Sequence, residues 1–425
     1  MKEEFLHFLW QYKLFDITNL KSVHNESIQI VKSGMHNKNS GPDFLNAQLK
    51  INHQLWIGNV EIHINSSDWY VHKHEEDENY DAVILHIVWN HDAEVFMKNN
   101  LPLPTLELKE LVHENVMKNY EQLFSKQLQW ISCENQIVDV DSFLIKNWLE
   151  RLYFERLENK SILIKELLAN SKNDFEAVLF QLLAKNFGLK VNGDVFLELA
   201  KSFDFSILQK VRFNEFQLSA LLFGQAGFFE ETMENEYFLS LKNEYDFLKH
   251  KYQLTPIHNK QFQFFRMRPN NFPTIRIAQL VALFHKYQNL FSKLLELNRK
   301  EDFYDLLSVE VNAFWQAHYT FETSSKKLTK RLTKSFIDLL LINTIIPLKF
   351  VYEQYKGILN EEKILKLIQQ IKPEKNSIIS KFSDLKLIAK NAFESQALLE
   401  LRNNFCVKKR CINCAIGNIL LKKHI

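Results

Sequence analysis

Chain breakers are scarce: 425 residues carry nine glycines and eight prolines. So few interruptions over this length favour long helices over a many-stranded sandwich, whose turns consume both residue types. Cysteine is scarcer still, at four, which excludes a scaffold built on disulfides. Net charge is almost absent, since 53 Lys and Arg against 51 Asp and Glu leave +2. No global field therefore recruits a polyanion, and a nucleic-acid role requires a local basic patch. No run approaches the roughly 20 apolar residues that span a bilayer. The opening MKEEFLHFLWQYKLF lacks the basic-then-apolar plan of a signal peptide. A soluble, cytoplasmic chain with no membrane partner is the expectation. What the chain does have is apolar mass, 46% hydrophobic with 35 phenylalanines, enough to bury the cores of two or three domains.

Histidine is concentrated. Seven of fifteen (His36, His53, His63, His72, His74, His86 and His91) fall between positions 36 and 91, beside Asp43, Glu61, Asp68 and Asp77. The same stretch has the pattern of a β-meander. Leu45, Ala47, Leu49 and Ile51 alternate with Asn46, Gln48 and Lys50, the period of a half-buried strand. Residues 52–54 form a short turn and 55–64 the return strand. There Val60, Ile62 and Ile64 face one way while Glu61 and His63 face the other. Charge is poorly tolerated near a core, so two ionisable groups on one face of an apolar strand are either paired or functional. Gly41-Pro42 sets a turn that places Asp43 at the mouth of the hairpin. Residues 81–89 (DAVILHIVW) are apolar apart from His86, as in a strand buried on both faces. Histidines and carboxylates gathered on strands point to a metal-dependent or general acid–base site. The plainer reading is a buried polar network that only braces the sheet.

These residues resemble the restriction-endonuclease-like superfamily, whose core motif is PD followed, after a gap, by (D/E)xK. Pro42-Asp43 matches the first element and Glu61-Ile62-His63 the second, with His63 in place of the usual lysine. The resemblance implies a metal-dependent nuclease or phosphodiesterase acting on nucleic acid. Asp43 and Glu61 would hold a divalent cation, Mg or Mn, and His63 would orient or activate water. His72, His74 and His86 are further candidates for metal or leaving-group contacts. Because imidazole itself ligates metal, a second reading is a histidine–metal enzyme of another class. In it His63, His72, His74 and His86 bind zinc or iron on a small β-barrel. A third is a non-catalytic scaffold that binds nucleic acid or protein.

Outside this stretch, residues 3–15 read as an amphipathic helix with Phe5, Phe8, Leu9, Tyr12 and Phe15 on one stripe, and 21–31 as a pair of strands. From 142 onward the pattern is helix after helix. Asp141-Ser142 caps 143–170, and Asn173-Asp174 caps 175–187, which Gly188 closes. In 214–229, Gly224 and Gly227 permit close helix contact or a break. Further helices are expected over 235–252, 274–297, 328–355, 360–371 and 377–404. The expected fold class is α+β: an N-terminal α/β domain with a mixed β-sheet over 1–130, then a large all-helical domain over 131–425.

Two more constellations lie in that second part. Arg266, Arg268 and Arg276 surround a loop between Pro269 and Pro273 that leads into a helix. Free backbone N–H groups and guanidinium forks there favour an anion, such as substrate phosphates; pairing with acidic residues is the alternative. Lys326, Lys327, Lys330, Arg331 and Lys334 follow, spaced to share one helix side as a solvated face. The cysteines are Cys133 and the C-x4-C-x2-C set Cys406, Cys411 and Cys414. Tight spacing of cytosolic thiols argues for metal, and four thiolates complete a site for zinc or an iron–sulfur cluster. With Cys133 as fourth ligand, such a centre would clasp the helical domain. Some nucleases of the superfamily named above carry an iron–sulfur staple of three clustered C-terminal cysteines and a distant fourth. As a whole, the chain resembles a bacterial family known only as a domain of unknown function. The segments carrying that likeness include GPDFLNAQLKI, WIGNVEIHINSSDWYVHKH, YDAVILHIVW, LLFGQAGF, FRMRPNNFPTIRIAQL and CVKKRCINCAIG.

Overall fold

The computed structural model describes residues 1–124, 129–230, 233–258 and 261–423. The chain forms two compact units. The first comprises Met1–Leu149, Asp384–Lys386 and the segment from Glu400; the second comprises Glu150–Ser383 and Leu387–Leu399. A mixed sheet stands in the first and helices fill the second, an α+β protein as its periodicities indicate.

The sheet has six strands: β1 (Ile28–Lys32), β2 (Met35–His36), β3 (Phe44–Ile51), β4 (Gln54–Asn65), β5 (Val83–Asn90) and β6 (Thr105–Glu107). Their order is β1-β3-β4-β5-β6, with β2 also on β3. β3 and β4 are the expected hairpin, antiparallel with Phe44 opposite Val60. It is closed by Asn52 and His53 at φ +48° and +69°, the two left-handed residues that a tight hairpin turn needs. β4 then pairs with β5 in parallel, Glu61 opposite His86. A parallel partner requires a crossover, and residues 66–82 supply it, including the short helix α2 (Asp68–Val71). β5 is buried continuously from Val83 to Val88, so β4 and β5 form the sheet's interior. The strand pair expected over 21–31 is instead β1 alone, with one bridge between Lys21 and Ser27.

The N-terminal helix α1 (Glu3–Tyr12) packs against β4 and buries Phe5, Leu6, Phe8, Leu9 and Trp10. It ends three residues earlier than its apolar stripe suggests, because Lys13 turns left-handed at φ +53°. Tyr12 is consequently exposed.

In the second unit the caps are where the sequence signals put them. Asp174 accepts from the N–H groups of Glu176 and Ala177, and Asn214, Asn235 and Asn360 cap their helices the same way. Gly224 serves contact: a Cβ there would lie 2.1 Å from the Tyr245 ring. The helix 274–297 is broken into Pro273–Lys286 and Leu290–Glu296. The basic run is not a helix face either, since the helix starts only at Lys334. Lys330 turns inward, its Nζ donating to the carbonyls of Trp315 and His318 at 2.8 and 2.6 Å. The helix from Lys334 to Lys356 is long and apolar enough to cross a membrane, contrary to the reading of its sequence; 67% of its most apolar window is buried within the protein.

Candidate metal centre of carboxylates and histidines

Asp43 and Glu61 meet at the open end of the β3–β4 hairpin, and each carboxylate accepts from a backbone N–H of the opposite strand end. The Asp43 N–H donates to Glu61 Oε2 at 3.1 Å, and the Ile62 N–H donates to Asp43 Oδ2 at 3.0 Å. Neither bond depends on a mobile partner, so both carboxylates are held in register by the strand pairing itself. Asp43 stays partly exposed, whereas Glu61 is 5% exposed.

Each carboxylate faces a different group of side chains. On the Asp43 side, α1 presents Glu3 and His7, one helical turn apart, with His7 Nε2 3.2 Å from Asp43 Oδ2. The ligand atoms of Glu3, His7 and Asp43 all lie within 4.8 Å of one another. On the other side the crossover from α2 returns over β4. His72 at the end of α2 and His74 just beyond it come down on His63, and these three offer nitrogens within the same limit. Glu61 stands between the two groups. Its Oε2 serves the Asp43 side, while its Oε1 lies 3.3 Å from His74 Nε2 and 3.5 Å from His63 Nε2.

Behind His63 is His86, fully buried on the parallel strand, with His63 Nδ1 2.9 Å from His86 Nε2. When His63 carries its proton on Nδ1 and donates it to His86, the His63 Nε2 lone pair is turned toward His72 and Glu61. A metal-ligating imidazole is oriented in this way by the partner of its other nitrogen. Tyr80 stacks on His74 with ring centroids 3.7 Å apart, and the buried Trp69 sets its ring edge-on to His74 and tilted to His86.

The electrostatics follow from this packing. Burial, then the Asp43 charge, pushes the Glu61 carboxyl up to about 9. Burial, then His74 and His72, pushes His63 down to about 3. His86 is driven well below its ordinary value by burial and His63, and His74 is lowered chiefly by burial. Burial also opposes charge on His7, but the hydrogen bond and charge of Asp43 outweigh it and raise that group. At neutral pH His63, His74 and His86 are therefore neutral imidazoles with lone pairs to offer. The Asp43 and Glu61 carboxylates repel each other, and His7 offsets that only in part.

Beside His74 and Tyr80 opens a pocket of about 460 Å³ whose lining includes Trp69, Phe96 and Lys98. Glu3, His7, Trp69 and Tyr80 were not singled out in the sequence. The available signal for the first two was their i, i+4 spacing beside the apolar stripe of α1. Of the other acidic and imidazole groups of the stretch, Asp68 accepts from the Asn65 N–H, Asp77 from the Asn79 N–H, and His91 lies 3.4 Å from Glu94. The histidines do not line a barrel, because the sheet is open with edges at β1 and β6.

The arginines belong to the second unit and do not act as one cluster. Arg276 is buried, stacked 3.6 Å from the Phe336 ring centroid, and donates to Asn271 Oδ1 and Gln279 Oε1 at 2.6 and 2.9 Å. Its Nε has no hydrogen-bond partner, and burial lowers the group to about 10. Arg276, Arg268, Lys330 and Arg331 line a pocket of about 400 Å³, whereas Arg266 is exposed over Phe265. Cys133, Cys406, Cys411 and Cys414 share one pocket of the first unit.

No curated protein and no solved structure matches the chain. One family model does, over residues 3–377, a span that takes in both ligand groups and all three arginines. The chain belongs to the family described as "Protein of unknown function (DUF2851)".

Proposed function

We propose that this chain is a metal-dependent phosphodiesterase or nuclease whose cations are held around Glu61. The observation that carries the reading is the position of Glu61, whose Oε2 accepts from the Asp43 N–H beside the Glu3–His7–Asp43 group and whose Oε1 lies 3.3 and 3.5 Å from His74 and His63. Residues of the two groups would hold divalent cations, which would lower the pKa of an attacking water and stabilise charge on the leaving oxygen of an in-line displacement at phosphorus. Water adds to phosphorus as the P–O bond to the leaving group breaks. The water's proton would leave to solvent. In this arrangement His63 is a ligand oriented by His86 rather than a stand-in for the superfamily lysine.

A nucleic-acid substrate is supported by the pocket beside His74, where the rings of Tyr80 and the exposed Phe96 suit stacking on bases. The exposed Arg266 and Arg268 suit phosphate contacts in the second unit. The convergence of three imidazoles favours a second reading, a zinc- or iron-dependent enzyme acting on another substrate class.

The test is cleavage of labelled single- and double-stranded DNA and RNA with Mg2+, Mn2+ or Zn2+. Cleavage is expected with wild type and lost in Asp43→Asn with the fold retained. His63→Lys should also lose it, since an ammonium cannot ligate. Wild type that cleaves no nucleic acid with any of these ions, yet is thermally stabilised by zinc or iron, would replace the nuclease reading with the second one.

A further inference from the structure

The four cysteines come together from distant places in the sequence. Cys133 lies in the segment after the helix Glu114–Phe124, and the other three follow Glu400. All four line one pocket, walled by the apolar side chains of Leu123, Ile131, Ile137, Leu401 and Phe405, and none is in a disulfide. The surrounding chain is shaped around sulfur. Cys411–Asn413 makes a single tight turn, and a short helix begins directly after Cys414. Gly417 presses on that turn so closely that a Cβ would stand 2.1 Å from the Cys411 carbonyl oxygen. Cys414 is the residue from which that helix starts, and Ser132, next to Cys133, lines the pocket as well.

Positive charge stands nearby, Arg402 beside Cys406 and both Lys409 and Lys2 beside Cys411. Four unbridged sulfurs facing one enclosed apolar pocket are the donor set of a soft cation.

We propose that Cys133, Cys406, Cys411 and Cys414 ligate one thiophilic metal centre, a Zn2+ ion or an iron–sulfur cluster. On binding, four S–H bonds give way to four sulfur–metal bonds and the protons leave to solvent. Among the described residues, the groups gathered within 4.8 Å are the two around Glu61 and not the cysteines. A Zn2+ at about 2.3 Å from each sulfur would therefore draw the thiolates inward, while an iron–sulfur core takes them farther apart. Either one pins the segment from Glu400 to residues 131–137 within the first unit, not within the helical one. This site is separate from the ligands around Glu61, and its assignment does not depend on any activity there.

The experiment uses the full chain purified without oxygen and without added metal. Zinc, iron and acid-labile sulfide are measured together with the visible spectrum. About one zinc per chain and no colour, or iron with sulfide and broad visible absorption, are the two supporting results, and they name the metal. Asp43→Asn should keep that content and Cys414→Ser should lose it. If Cys414→Ser does not fold, alkylation of wild type decides: the four thiols should resist reagent until a strong chelator is added. Protein that contains neither metal, and that takes up no Co2+ with sulfur-to-cobalt charge-transfer absorption, overturns the proposal. So does alkylation that proceeds equally with and without chelator.

Discussion

Glu61 in the first unit and Arg276 in the second are both buried charged residues, and they are accommodated in opposite ways. Glu61 is 5% exposed and Arg276 6%. Glu61 sits beside another carboxylate, and its carboxyl is pushed up to about 9, so the metal-free site tends to neutralise it. Arg276 is lowered only to about 10 and remains charged at neutral pH, spread over the Phe336 ring and two amide oxygens. A carboxylate can escape burial by taking a proton, whereas a guanidinium cannot at any ordinary pH. Glu61 and Asp43 thus have His7 as a nearby cationic group, whereas Arg276 is held by amide oxygens and a ring rather than, among the described residues, by a carboxylate.

The sharpest way to break this comparison is to remove the Glu61 charge. A carboxyl at 4.5 in the unfolded chain and about 9 when folded makes the native state hold the extra proton between those values. Its contribution to stability is full below the lower value and is lost as pH rises through the upper one. His63 runs the other way, from 6.5 to about 3, so its contribution is already complete above pH 6.5. Chemical denaturation in EDTA should therefore show wild type losing stability from pH 6.5 to 9. Glu61→Gln should be flatter over that range, the raised His7 still contributing a slope, and more stable than wild type at its alkaline end. Saturating Mn2+ should restore wild type and leave the variant unchanged. A wild-type curve as flat as the variant's would mean that the carboxylate is already compensated by protein groups.

A smaller effect is expected one layer back. His86→Gln keeps volume and polarity but changes the partner of His63 Nδ1. Metal affinity measured by titration calorimetry should fall by about 10- to 100-fold, the usual consequence of losing such an orienting group. The thermal midpoint of the metal-free protein should move little. An unchanged affinity would separate His63 from the metal.

The smallest effect belongs to the second unit. Changing Arg266 and Arg268 to Ala should weaken polyanion binding and lower its salt slope by about one per arginine. Fluorescence anisotropy with a labelled oligonucleotide across a salt series measures both. Identical slopes in wild type and variant would assign these side chains to structure alone.

Much of the first unit was legible because its signals are local. Period-two alternation located β3 and β4, and the asparagine–histidine turn set their register as far as Ala47; a bulge between Phe44 and Ala47, where Asn46 takes φ +57°, then puts Asp43 against Glu61. Side-chain caps at Asp174, Asn214, Asn235 and Asn360 marked helix starts for the same reason: each satisfies donors within three residues of itself. Local patterns stop where the backbone can turn without announcing it. Lys13 and Lys330 take left-handed φ, which a lysine does not advertise, so one helix ended early and a supposed basic helix face never formed. Gly188 was read correctly as a boundary but for a different cause. Its φ is −67°, Leu189 takes the left-handed turn, and the glycine is needed because a Cβ would lie 2.5 Å from the Asn192 carbonyl oxygen.

By itself, then, the sequence determined which histidines and carboxylates are available, the hairpin that carries two of the carboxylates, and a close spacing of three thiols. Only the tertiary structure decided that Glu3 and His7 on α1 face Asp43, that the crossover lays His72 and His74 on His63, and that β5 runs parallel to put His86 behind them. It alone returned Cys406, Cys411 and Cys414 to Cys133 in the unit that holds the sheet. The physical reason is the range of the forces involved. Propensities and capping act over a few residues, whereas the meeting of distant segments is set by burial of apolar surface, which has no direction and leaves no period in the chain.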